Sequence, residues 1–119
     1  MKDCFVVAVD FDDTITEPSS YPITGKIRSD AITVLKEFHN IGIKIILWTC
    51  RTDMYLEEAI TLCSKNGIVL DAVNENIKDC KSRKVLADVY IDDKGLCDIN
   101  WLRIRERTLN QYDIWLSSK

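Results

Sequence analysis

Three apolar runs, at residues 4–9, 43–48 and 85–91, each end on a polar residue able to do chemistry: Asp10, Thr49 and Asp92. The runs are rich in valine and isoleucine and lack the polar alternation of a half-exposed strand. Such runs read as strands buried on both faces, as in a parallel sheet. The stretches between them have helical spacing. Ile32, Leu35 and Phe38 mark a helix from Ser29 or Asp30 to about Asn40, stopped at Gly42. Leu56, Ala59, Ile60 and Cys63 mark another from about Asp53 to Asn66, stopped at Gly67. Ala72 and Val73 suggest a short strand, and the tail from Trp101 to Leu116 has helical spacing again. Residues 11–27, with Pro18, Ser19, Ser20, Pro22 and Gly25, read as a loop or irregular hairpin, and residues 74–84 as a polar loop. The expectation is one α/β domain over residues 1–119, a mainly parallel sheet flanked by helices on both faces.

Open sheets of this kind bind ligands outside the carboxyl ends of their strands. The expected topology therefore gathers Asp10/Asp12, Thr49 and Asp92/Asp93 at one edge. Asp10 and Asp12 are spaced by two, so an extended chain points both to one side. Neighbouring carboxylates repel unless a cation or a shared proton relieves them. An all-oxygen site calls for a hard divalent ion, and Mg²⁺ fits best. Such an ion clamps a phosphoryl group and neutralises its charge. A carboxylate can attack phosphorus, and a second can move the proton. A hydroxyl at Thr49 and a lysine ammonium would hold the non-bridging oxygens.

Other classes are excluded. The net charge of −3 lacks the basic face that nonspecific nucleic-acid or anionic-membrane binding needs. No apolar stretch approaches the roughly 20 residues that span a bilayer. The N-terminus has no signal-peptide pattern, so the expected location is cytoplasmic. The five cysteines are odd in number, widely spaced and without a C-x-x-C pair; they read as reduced small hydrophobes. With His39 as the only histidine, zinc sites and His-based triads are set aside. Gly25-Lys26 lacks the earlier glycine and the following hydroxyl of a P-loop.

Asp10-x-Asp12-x-Thr14, then Leu47-Trp48-Thr49-Cys50-Arg51, then Lys84 ahead of Tyr90-Ile91-Asp92-Asp93, resembles the haloacid dehalogenase superfamily of aspartate-nucleophile phosphatases. All four of its motif positions match in order across residues 5–95. The resemblance implies a single Rossmann-like domain and a phosphate monoester hydrolysed through an aspartyl-phosphate. It implies Asp10 as nucleophile and Asp12 as general acid/base. Mg²⁺ would be held by the Asp10 carboxylate, the Asp12 main-chain carbonyl and the Asp92 carboxylate. Thr14, Thr49, Arg51, Lys84 and Asp93 are the candidates around phosphate. Lys84 best matches the lysine placed directly before the last strand, with Lys81 as runner-up and Lys78 and Lys94 nearby. Arg51 would reach substrate from the loop after Thr49, and Asp93 would orient the lysine or a metal-bound water. Asp13 stands where this motif more often has glycine. An acid at residue 12 points to phosphatase or phosphotransferase chemistry rather than carbon–halogen cleavage. Neither inter-motif interval has room for a cap domain. The site would be open, or shielded by residues 13–27 or another subunit. The implied partner is a small phosphorylated substrate, or an accessible phosphate on a larger molecule.

Two other readings stay open. One is a catalytically silent phosphate-binding module of the same fold. The other is a receiver-type phosphoacceptor domain, in which Asp12, Asp13 and Asp53 fit by position. Strand geometry argues against the second, because Asp53 should begin a helix rather than end a strand, and Asp92-Asp93 would have no purpose.

Overall fold

A computed structural model describes residues 4–77, 82–96 and 98–119. The elements run β1 (Val6–Val9), α1 (Ser29–Asn40), β2 (Lys44–Leu47), α2 (Asp53–Lys65), β3 (Ala72–Val73), β4 (Val89–Ile91) and α3 (Trp101–Ser117). The sheet order is β3-β2-β1-β4, and every pairing is parallel. This is the single Rossmann-like α/β domain expected from the sequence.

All four residues of β1 are buried, which explains their unbroken apolar character. Phe5, Val7 and Val9 face the larger core with Ile45, Leu47 and Ile91. Val6 and Ala8 face a smaller core with Ile46 and Val85. Each such side chain contributes about 1.5–3 kcal/mol on burial. The helices correct one expectation. Residues of α1, α2 and α3 all belong to the larger core, so among the described residues every helix lies on one face. The other face is covered by Ile77, Val85 and Ala87 of the β3–β4 connection. That use of Val85 explains why β4 begins at Val89 rather than at residue 85. The chain at Val85 lies across the sheet instead of in it.

Helices α1 and α2 end in the same way. Ile43 N–H donates to the Phe38 carbonyl and Gly42 N–H to His39. Ile68 N–H donates to Cys63 and Gly67 N–H to Ser64. Gly42 at φ +96° and Gly67 at φ +77° supply the left-handed turn that this Schellman pattern requires. The buried residues of α1, Ala31, Val34, Leu35 and Phe38, follow the helical period.

Helix α3 is capped by Asn100, whose side chain accepts from Arg103 N–H. It packs beside α1, where Arg105 pairs with both Glu37 oxygens at 2.7 and 2.8 Å. At its start, buried Trp101 donates its indole N–H to the Thr14 carbonyl at 3.0 Å. One bond thus fastens α3 to the loop after β1. Among the described residues, no helix is long and apolar enough to cross a membrane.

Trp101→Phe keeps an aromatic ring, smaller than indole, and removes the indole donor. It should leave the fold intact and cost about 1–3 kcal/mol, the penalty for a buried carbonyl left unsatisfied. Urea denaturation of the two proteins checks this, and an unchanged midpoint would show that the bond contributes nothing.

Candidate functional site

The carboxyl ends of β1, β2 and β4 open into a cleft of about 400 Å³. Its lining includes Asp10, Asp12, Asp13, Thr49, Arg51, Asp92, Asp93 and Lys94, together with Ser19, Tyr21 and Cys50. A recess of about 310 Å³ between β4 and α3 contains a single carboxylate, Asp92. The cleft at the strand ends is therefore the candidate site.

Asp10, Asp92 and Asp93 each place a carboxylate oxygen within 4.8 Å of the others. β1 delivers the first and β4 the other two, and parallel pairing of these strands brings them together. Burial, then the hydrogen bond with Asp93, then the charge of Asp92 push the Asp10 carboxyl up to about 8. Asp93 moves the other way. Burial opposes its ionisation but is outweighed by hydrogen bonds with Asp10 and Asp92, the Lys94 charge and a bond from Thr14. Asp10 thus holds the proton that relieves the repulsion. A divalent cation would do the same more strongly, and three hard oxygens suit one such as Mg²⁺.

Thr14 explains how Asp10 and Asp93 are held. Its buried hydroxyl lies 3.3 Å from Asp10 Oδ2 and 3.3 Å from Asp93 Oδ1. It also accepts from Asp93 N–H at 3.0 Å. The residue expected near phosphate is instead fully enclosed, at 0% exposure, and braces the carboxylates from behind.

Arg51 has a similar outcome. It is expected at the substrate, yet it is 1% exposed and all five of its N–H donors are engaged. Nε donates to Asp12 Oδ2 at 2.7 Å and Nη2 to Asp12 Oδ1 at 2.6 Å. The remaining donors go to Thr24, Glu58 and the Tyr55 carbonyl. Hydrogen bonding to Asp12, together with its charge and that of Glu58, raises the guanidinium's pKa against the cost of burial. Arg51 therefore fixes Asp12 and has no donor left for a phosphate. Phe11 lies 4.9 Å below the guanidinium carbon and completes its enclosure.

Thr49 stands as expected at the end of β2. Its N–H donates to Asn74 Oδ1 at 2.8 Å, and its hydroxyl accepts from Arg51 N–H at 3.1 Å, leaving the hydroxyl proton available to the cleft. Asn74, unmarked in the sequence reading, closes β3 as Thr49 closes β2. The same search for polar residues at strand ends would have found it. Asp13 takes φ +62°, the left-handed conformation that glycine supplies more easily. Its carboxylate accepts from Ser19 N–H at 3.0 Å and ties down the following loop.

The expected lysine is not brought to this cleft. Lys84 is exposed, with its ammonium 5.4 Å from the Tyr90 ring centroid. Lys81 and Lys78 lie outside the described residues. Lys94 lines the cleft instead, 3.8 Å from Asp93 Oδ2. Asp53 is the first residue of α2, exposed and absent from the cleft lining. Of the cysteines, Cys63 is buried, and burial pushes its thiol up to about 12. Cys4 and Cys50 are free as well, while Cys80 and Cys97 lie outside the described residues.

Two outcomes follow. Removing Arg51 leaves the partly buried Asp12 without its partner, so Arg51→Met should lower stability by about 3–5 kcal/mol. Arg51→Met with Asp12→Asn should recover part of that loss, and additive losses in denaturant titrations would mean the pair is not coupled. The raised Asp10 pKa gives a pH signature. Its contribution to stability is complete below the ordinary carboxylate value of 3.8 and is lost as pH rises through about 8. In chelator, the wild-type melting temperature should therefore decline from pH 5 to pH 8 more steeply than that of Asp10→Asn. Parallel profiles would rule out a raised Asp10.

No family model and no curated protein matches the chain. A solved structure does: the conserved protein coded by locus from Bacteroides thetaiotaomicron is 34% identical. The match covers 92% of this chain and 93% of that one, with a TM-score of 0.83. At that identity over nearly the whole of both chains, this protein belongs to the family of that conserved Bacteroides thetaiotaomicron protein.

Proposed function

We propose that the protein is an Mg²⁺-dependent phosphatase that hydrolyses a phosphate monoester through an aspartyl-phosphate. The observation that carries this reading is the convergence of Asp10, Asp92 and Asp93 beside Asp12 and Thr49 in one cleft. Resemblance of the four motif positions to aspartate-nucleophile phosphatases supports the same assignment.

Asp10 is the nucleophile. Its carboxylate oxygen forms a bond to phosphorus, and the ester oxygen leaves with the bonding electron pair. Asp12, protonated when the ester binds, gives that oxygen its proton, then as a carboxylate takes one from the water that releases phosphate from Asp10. Arg51 engages both Asp12 oxygens but leaves a carboxyl group further lone-pair sites for this proton. The Thr49 hydroxyl and the Lys94 ammonium hold non-bridging oxygens. Asp10, Asp92, Asp93 and the Asp12 main-chain carbonyl would hold Mg²⁺, which supplies charge neutralisation at the phosphoryl group. The receiver reading loses ground, because Asp53 begins a helix outside the cleft.

Asp10→Asn should abolish turnover, since an amide is a poor nucleophile, and acid quench with labelled substrate should trap phosphate on Asp10. A variant keeping a tenth of wild-type turnover would sink the covalent mechanism. Lys94→Met should cost about a hundredfold in rate and Lys84→Met far less. The reverse order would return the phosphate contact to Lys84. Mg²⁺ titration at pH 7 in weak buffer should release about one proton per chain, because Asp10, with a pKa of about 8, must ionise to bind it. No release on saturation would remove Asp10 from the ligand set.

A further inference from the structure

The cleft has one feature that phosphate chemistry does not use. Tyr21 lines it, yet the residue is 55% exposed. The ring is nonetheless fixed. Arg51 lies under it, with the guanidinium carbon 5.4 Å from the ring centroid. Tyr55 meets it edge-on at 5.6 Å and 61°. Its turn is closed by Ile23 N–H to the Ser20 carbonyl at 2.9 Å and by the Ser19 hydroxyl to the Ile23 carbonyl at 2.9 Å. The base of the loop is clamped by Glu17 N–H to the Lys26 carbonyl at 2.8 Å. Gly25 makes that clamp possible, because a Cβ there would collide with the Glu17 carbonyl.

We propose that Tyr21 is a stacking platform for a planar ring of the substrate, and that the substrate is a nucleoside monophosphate. The proposal rests on the phosphatase reading and names its substrate class. Two observations carry it from an exposed ring to this ligand. First, Arg51 has no donor left for the phosphate, and Lys94 is the cleft's remaining cation among the described residues. Beyond the proposed Mg²⁺, Lys94 and the Thr49 hydroxyl, further affinity comes from the rest of the substrate, and an aromatic face supplies it through stacking, whichever base is present. Second, the ring partners of Tyr21 among the described residues are Arg51 and Tyr55, and Arg51 in turn holds Asp12. A ring on Tyr21 is therefore set back from phosphorus by a spacer. A ribose provides that spacer, and an aryl ester, with its ring directly on the phosphate oxygen, does not.

The test compares adenosine 5′-monophosphate, ribose 5-phosphate and 4-nitrophenyl phosphate as substrates of the whole protein with Mg²⁺. The nucleotide should show a KM at least about fivefold below that of ribose 5-phosphate, the size of one weak base–aromatic stack. The aryl ester should show no such advantage over ribose 5-phosphate. Tyr21→Leu keeps an apolar cover over Arg51 without a π face, and should bring the nucleotide-to-sugar KM ratio close to one. Tyr21→Trp should retain it. A ratio near one in wild type, or a ratio untouched by Tyr21→Leu, overturns the proposal. So does a fall in kcat on both substrates with the ratio preserved, which would mean Tyr21 merely supports Arg51. If none of the three esters is hydrolysed, the phosphatase reading fails, and equilibrium dialysis with Mg²⁺ decides the platform by itself. Tighter binding of the nucleotide than of ribose 5-phosphate, lost in Tyr21→Leu, sustains it. Equal binding or no binding overturns it.

Discussion

The guanidinium of Arg51 ties together the parts of this molecule that parallel pairing alone would leave loose. Its donors reach Asp12 and Thr24 in the connection between β1 and α1, and Tyr55 and Glu58 on α2. A buried cation without partners would be prohibitive, and a planar group with five donors is satisfied only by fixing several acceptors at once. The β1–α1 connection and the start of α2 are thereby set in one geometry. The arrangement gives Asp12 a defined direction, which a carboxylate on a free loop would lack.

Around that anchor, opposing demands shape the site. The sheet brings three carboxylates together, and their mutual repulsion disfavours the metal-free fold. Retention of a proton by Asp10 at neutral pH is the protein's own relief of that strain. Thr14 shares a single hydroxyl between Asp10 and Asp93, and Trp101 holds the Thr14 carbonyl in turn. Stability given up at the strand ends is recovered behind them, in a buried layer that α3 completes. Under the proposed Mg²⁺ reading, this arrangement is the familiar trade between stability and activity.

Much of this was legible in the chain. Unbroken valine and isoleucine runs marked strands buried on both faces, and helical spacing with terminal glycines placed α1 and α2 to within a residue. Parallel topology then made Asp10, Thr49 and Asp92 neighbours, because strand ends meet at one edge whatever the loops do. Less legible was how side chains divide their bonds. Thr14 and Arg51 carry groups suited to phosphate, and only their burial shows those groups engaged within the protein. Lys84 and Lys94 are alike in composition, and the path of the β3–β4 connection separates them. That connection also replaces the helix expected on the second face, since Val85 is needed there as cover rather than as strand.

The sequence by itself determined the order of strands and helices, the limits of α1 and α2, and the edge where the polar strand ends gather. Those follow from local periodicity and from a topology with few solutions. Tertiary structure alone decided which polar groups face the cleft and which brace it. A hydrogen-bond donor has no fixed role until its nearest acceptor is known. For Arg51 the acceptors come from loops and a helix up to 39 residues away in the chain. The same holds for Tyr21, an unremarked residue of a polar loop whose ring finds Arg51 and Tyr55 only when the chain has folded.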